Sequence, residues 1–134
     1  DLIGRHAREA DFIICTALIP GHRAPILVTE EIVQEMRPGS VIVDVAAEMG
    51  GNCQLTKPGK EVVCNNVTIL GPLNLPSQVP LHASLMYSRN ISSLLLLMVK
   101  EGRLEPNFED AILQGCCITR DGQVVHAATR ALLQ

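Results

Sequence analysis

Three stretches of this chain place glycine, proline and polar residues directly after apolar runs: Thr16 to Pro25 (TALIPGHRAP), Ala46 to Asn52 (AAEMGGN) and Gly71 to Pro76 (GPLNLP). Glycine lets a backbone take positive φ or approach a ligand closely, and the Gly50-Gly51 pair serves a plain tight turn equally well. The residue types alone leave both readings open. Loops of this kind hold ligands when they follow parallel strands, at the carboxyl edge of an open α/β sheet. The first loop is therefore expected to touch a nucleotide if the preceding elements are such strands.

Other chemistries find little support. Cys15, Cys53, Cys64, Cys116 and Cys117 are odd in number and lack a CxxC spacing, which fits reduced thiols and not a disulfide or metal framework. His6, His22, His82 and His126 are scattered, so no metal site is expected. A net charge of −3 without a Lys/Arg cluster, and only one Tyr, two Phe and no Trp, argue against nucleic acid as a partner. With 47 % apolar and 19 % charged residues, the 134-residue chain reads as a globular domain with a core. The apolar run Leu94 to Val99 falls well short of the roughly 20 residues a membrane span needs, so this segment is expected to be soluble. The chain starts at Asp1, already in a helical pattern, as a fragment or a processed product would.

The elements that position the loops follow from periodicity. Leu2 to Ala10 fits the last turns of a surface helix, and Phe12 to Cys15 a short buried strand. Thr29 is a helix N-cap followed by Glu30 and Glu31, with Ile32, Val33 and Met36 on one face and Arg37-Pro38-Gly39 as the stop. Val41 to Val45 reads as a parallel strand covered on both faces, completing a right-handed βαβ unit. Val62 to Cys64 and Val67 to Leu70 flank Asn65-Asn66 as a hairpin, with the second arm rejoining the sheet. Three strands then end in three loops on one edge. Pro80 to Lys100 is helical and apolar nearly all round in its second half, which calls for burial or a docking partner. Glu101-Gly102-Arg103 ends it, and Cys116 to Val125 forms a small hairpin.

TALIPGHRAP, MRPGSVIVD (Met36 to Asp44), AAEMGGN, Lys57-Pro58-Gly59, Asn74-Leu75-Pro76-Ser77 and TRDG (Thr119 to Gly122) together resemble the NAD(H)-binding domain of the proton-translocating transhydrogenase α subunit, and more distantly alanine dehydrogenase. The resemblance implies an α/β fold: the second half of a Rossmann-like, doubly wound parallel sheet, with a long C-terminal helix and a small terminal hairpin. Residues 1–80 would be the C-terminal half of the NAD(H)-binding domain, and 81–134 its connecting helix and C-terminal segment. The GxGxxG phosphate turn of such domains is missing from this sequence. Carried over by position, the cofactor-binding residues are Thr16, Ala17 and Leu18; Val45, Ala46, Ala47 and Glu48; and Leu73, Asn74 and Leu75.

Glu48 stands where alanine dehydrogenase has an Asp beside its substrate, which makes it the one candidate for proton transfer; a turn-stabilising or solvated carboxylate is the other reading. Pro72-Leu73 and Gln78 depart from the His or aromatic, the Thr and the Arg usual in transhydrogenases. The implied function is hydride transfer between NAD(H) and NADP(H) on a partner domain, coupled to membrane domains, on the cytoplasmic or matrix face of a membrane-bound enzyme. The isolated segment is expected to be inactive, and to form a homodimer or higher oligomer. An alanine-dehydrogenase-like oxidoreductase and a non-catalytic interaction fragment are the alternatives.

Overall fold

The computed structural model describes residues 2–133 and divides into two compact units, Asp1–Val79 and Pro80–Gln134. The first unit runs α1 (Leu2–Ala7), β1 (Phe12–Cys15), α2 (Glu30–Glu35), β2 (Val41–Asp44), a 3-10 turn (Ala47–Met49), β3 (Glu61–Cys64), β4 (Val67–Leu70) and α3 (Leu75–Gln78). Its sheet has the order β1-β2-β4-β3. The first three strands are parallel, with Cys15 opposite Asp44 and Val43 opposite Leu70. β3 folds back antiparallel on β4 through Asn65 and Asn66, whose φ values of 49° and 61° are those a two-residue hairpin turn requires.

α2 forms where its capping residues place it. The Thr29 hydroxyl accepts the Ile32 N–H at 3.4 Å, and the same hydroxyl holds the Glu31 carboxyl below its ordinary range. Ile32, Val33 and Met36 pack with Ala7, Val28 and Cys53 over Ile42, Val67 and Ile69 of the sheet. Side chains of this size each contribute about 1.5–3 kcal/mol when fully buried, so this layer fixes the strands and with them the edge from which the loops emerge.

The opposite face is less covered than the sequence suggests. Ile42 and Asp44 of β2 are buried but Val41 and Val43 only half so; the expected cover on both faces is met on the α2 side alone. β1 is not the buried strand its composition implies. It lies at the end of the sheet, and its outward residues Phe12 and Ile14 are 73 % and 69 % exposed. A continuous apolar run records that a strand can be buried on both sides, not that both layers are present.

The second unit is built from local pieces. α4 (Pro80–Met98) carries no buried residue, and it ends at Met98 because Val99 and Lys100 (β5) pair with Leu104 and Arg103 (β6) around Glu101-Gly102. Asp110 caps α5 (Ala111–Cys116) by accepting from Ile112 N and Leu113 N at 2.8 and 3.2 Å. β7 (Thr119–Arg120) and β8 (Gln123–Val124) make the expected hairpin over Asp121-Gly122, and His126 caps α6 (Ala127–Ala131). No helix among the described residues is long and apolar enough to cross a membrane.

Candidate functional site

Because β1, β2 and β4 are parallel and in register, the chain leaves all three at the same edge, at Cys15, Asp44 and Leu70. The second loop organises the other two. At its base the Asp44 carboxylate, fully buried, accepts four hydrogen bonds: from Ala46 N at 3.1 Å, Asn52 N at 2.7 Å, Cys53 N at 2.9 Å and the Thr56 hydroxyl at 2.6 Å. A buried charge with no cation beside it is tolerated when donors satisfy it in this way. The network also crowds Gly51, while Arg23 crowds Gly50. Gly50 and Gly51 have φ of 100° and 81°, and a Cβ on Gly51 would lie 2.8 Å from Asp44 Oδ2 and 2.9 Å from Thr56 Cβ. The tight-turn reading therefore suffices for these glycines without a ligand.

Asn52 clamps the first loop onto the second. Its side-chain amide donates to Ala17 O at 2.9 Å and Pro25 O at 2.8 Å, while its Oδ1 accepts Ala17 N at 3.0 Å. Its own carbonyl accepts Leu27 N and Val28 N at 2.8 and 3.0 Å, and Ala24 N donates to Met49 O at 2.8 Å. Between these anchors Pro20-Gly21 turns with His22 N on Ile19 O at 3.0 Å and Gly21 at φ 75°. Leu18 is left half exposed at the edge.

The third loop starts at Gly71, whose N–H donates to Lys60 O at 3.1 Å and whose carbonyl accepts Gly59 N at 2.7 Å. A Cβ at Gly71 would sit 2.6 Å from Lys57 O, so only glycine allows this close backbone approach. Glu48 reaches across from the second loop, its Oε1 accepting the N–H of Asn74. Asn74 sits in the left-handed region at φ 49°, its carbonyl accepts the Ser77 hydroxyl at 2.8 Å, and Gln78 Nε2 donates to Leu73 O at 3.3 Å. Gln78 thus fastens its own loop.

The family model for the alanine dehydrogenase/PNT, C-terminal domain matches residues 1–127. The chain belongs to this family. It is 45 % identical over 131 residues to the NAD(P) transhydrogenase subunit alpha of Haemophilus influenzae, covering 96 % of this chain and 26 % of that protein. A transhydrogenase crystal structure from Sinorhizobium meliloti superposes with a TM-score of 0.76 at 40 % identity, covering 92 % of this chain and 35 % of that one. An L-alanine dehydrogenase structure gives 0.77 at 31 % identity, covering 98 % and 37 %. The chain spans 26 % to 37 % of the length of these proteins.

In this alanine dehydrogenase/PNT C-terminal domain the ten residues singled out from the sequence fall into two groups. Thr16, Leu18, Glu48, Leu73 and Asn74 are exposed at the edge, and Ala17, Val45 and Leu75 are half-buried beside it. Ala46 and Ala47 are 1 % and 0 % exposed, so their side chains point into the protein and belong to the support of the loop. Asp44, Asn52 and Thr56 were the organising residues that sequence reasoning passed over; the signal available was an Asp closing an apolar strand shortly before Gly-Gly-Asn. Under the edge, burial, then the Asp44 charge and Cys53, push Cys15 up to about 11, and burial raises Cys53, so both thiols are held toward the protonated form. No cluster of three or more His, Cys, Asp or Glu among the described residues could hold a metal ion.

Proposed function

We propose that the three-loop edge forms one wall of a NAD(H) site in a proton-translocating transhydrogenase, in which hydride passes to and from NADP(H) on a partner domain. The observation that carries this reading is the parallel register that brings Thr16, Val45 and Gly71 out at one edge. Identities of 45 % and 40 % to transhydrogenases, against 31 % to the alanine dehydrogenase structure, favour the transhydrogenase, as does Glu48 in place of the Asp expected of the dehydrogenase. The residues present fit such a cofactor in part. Leu18, Val45, Leu73 and Leu75 offer apolar surface for rings, and the Asn74 side chain, unpartnered among the described residues, offers a hydrogen-bonding amide. A glycine-rich phosphate turn is absent from the sequence, so the pyrophosphate finds no cradle here.

The bound cofactor supplies the hydride chemistry; these side chains bind, orient and exclude water. On this reading residues 1–80 and 81–134 belong to one nucleotide-binding domain, the partners are the NADP(H)-binding and membrane domains, and the apolar surface of α4 joins copies of the chain.

Calorimetry with NADH tests the proposal. The 134-residue chain is expected to bind far more weakly than the intact Haemophilus influenzae relative, and Leu18→Asp to weaken binding by about tenfold or more, the order expected for losing one buried leucine contact. Affinity equal to the intact relative's, or indifference to Leu18→Asp, overturns it.

A further inference from the structure

We infer that Glu48 is a positioning residue: its carboxylate latches the third loop to the second and so sets where Leu73 and Asn74 stand at the cofactor edge. The inference rests on the NAD(H) reading of that edge. Glu48 lies in the 3-10 turn that follows the Asp44 network, on a backbone fixed by Met49 N to Ala46 O at 2.9 Å, Gly50 N to Ala47 O at 3.1 Å and Gly51 N to Ala46 O at 3.0 Å. Its side chain leaves that anchored turn and accepts the N–H of Asn74. On the far side, the polar groups at the tip are tied within the third loop itself: Leu73 O to Gln78, and Asn74 O to the Ser77 hydroxyl and to Ser77 N at 3.0 Å.

Among the described residues, the Glu48–Asn74 bond is therefore the hydrogen bond that refers the tip of the third loop to the second. It occupies the Asn74 backbone donor and does not involve the Asn74 side chain. At φ 49° the tip takes a left-handed conformation that asparagine tolerates and most residues resist. A charged acceptor is suited to the latch, because a hydrogen bond to a carboxylate is roughly twice as strong as a neutral one.

The test compares Glu48→Gln, which keeps the Oε1 acceptor, with Glu48→Ala, which removes it, in the full 134-residue chain. NMR measures solvent exchange at the Asn74 amide, and calorimetry measures NADH affinity. In Glu48→Ala the Asn74 amide is expected to exchange about tenfold faster and NADH to bind about fivefold more weakly, the order of one charge-assisted hydrogen bond. Glu48→Gln, which keeps the acceptor but loses the charge, should fall between the parent and Glu48→Ala on both readouts. Unchanged Asn74 exchange in Glu48→Ala overturns the latch whatever NADH does. Glu48→Gln as damaging as Glu48→Ala overturns it as well, since charge and not the acceptor would then matter. If the parent chain shows no NADH binding, the cofactor reading falls with the positioning role, while the exchange data still decide whether the latch exists.

Discussion

The second loop is joined to its two neighbours in opposite ways. Toward the first loop the junction is buried and redundant: Asn52 makes three side-chain hydrogen bonds to Ala17 and Pro25, backed by the four donors on Asp44. Toward the third loop it is, among the described residues, one exposed hydrogen bond from Asn74 to Glu48. Buried polar networks are expensive to disturb because each severed partner is left unsatisfied, whereas an exposed pair surrenders its partners to water. One side of the edge is thus scaffold, and the other is adjustable.

Asp44→Ala attacks the scaffold at its centre. It strands Ala46 N, Asn52 N, Cys53 N and the Thr56 hydroxyl, and should lower stability by about 3–5 kcal/mol in urea unfolding. A loss below about 1 kcal/mol would show that the donors find other acceptors and that the two junctions are alike. Gly51→Ala is the next largest change. It demands positive φ of a residue that resists it and drives a methyl into Asp44 and Thr56, so about 2–4 kcal/mol is expected from the same measurement.

How far this contrast could be read in advance depends on what each residue advertises. The parallel strands, the Thr29 cap and the Asn65-Asn66 hairpin announce themselves because β-branched runs, capping residues and left-handed turns each have a local cause. That three loops share an edge follows from those elements alone. Asp44 has no such mark: an Asp ending a strand looks the same whether it meets solvent or four buried donors. Ala46 and Ala47 were assigned to the cofactor by position in the family resemblance, which does not specify side-chain direction, and the side chains of both are buried. The Val99–Leu104 hairpin escaped notice because two-residue strands are too short to have a pattern. The bare outer face of β1 is a matter of which layers are present, and composition is silent on that.

A smaller effect sharpens the scaffold side by pH. Cys15 loses its proton near its ordinary value when unfolded but only at about 11 when folded, so between roughly pH 9 and 11 the folded state holds more protons and stability falls as pH rises. Below about pH 9 both states are protonated and the thiol contributes no slope. Cys15→Ala should flatten the alkaline decline in thermal unfolding; an unchanged slope would assign it elsewhere.

One sheet edge, with a firmly clamped side and a lightly held side, is expected to receive the cofactor. An amide chemical-shift map of the chain titrated with NADH tests it most directly. Shifts should concentrate at Leu18, Val45, Glu48 and Leu73 to Leu75, larger at the third loop than around Asn52, since one exposed hydrogen bond holds the third loop to the second where three side-chain bonds hold the first. Shifts confined to the second unit, or to the open sheet face at Phe12 and Ile14, would contradict the claim.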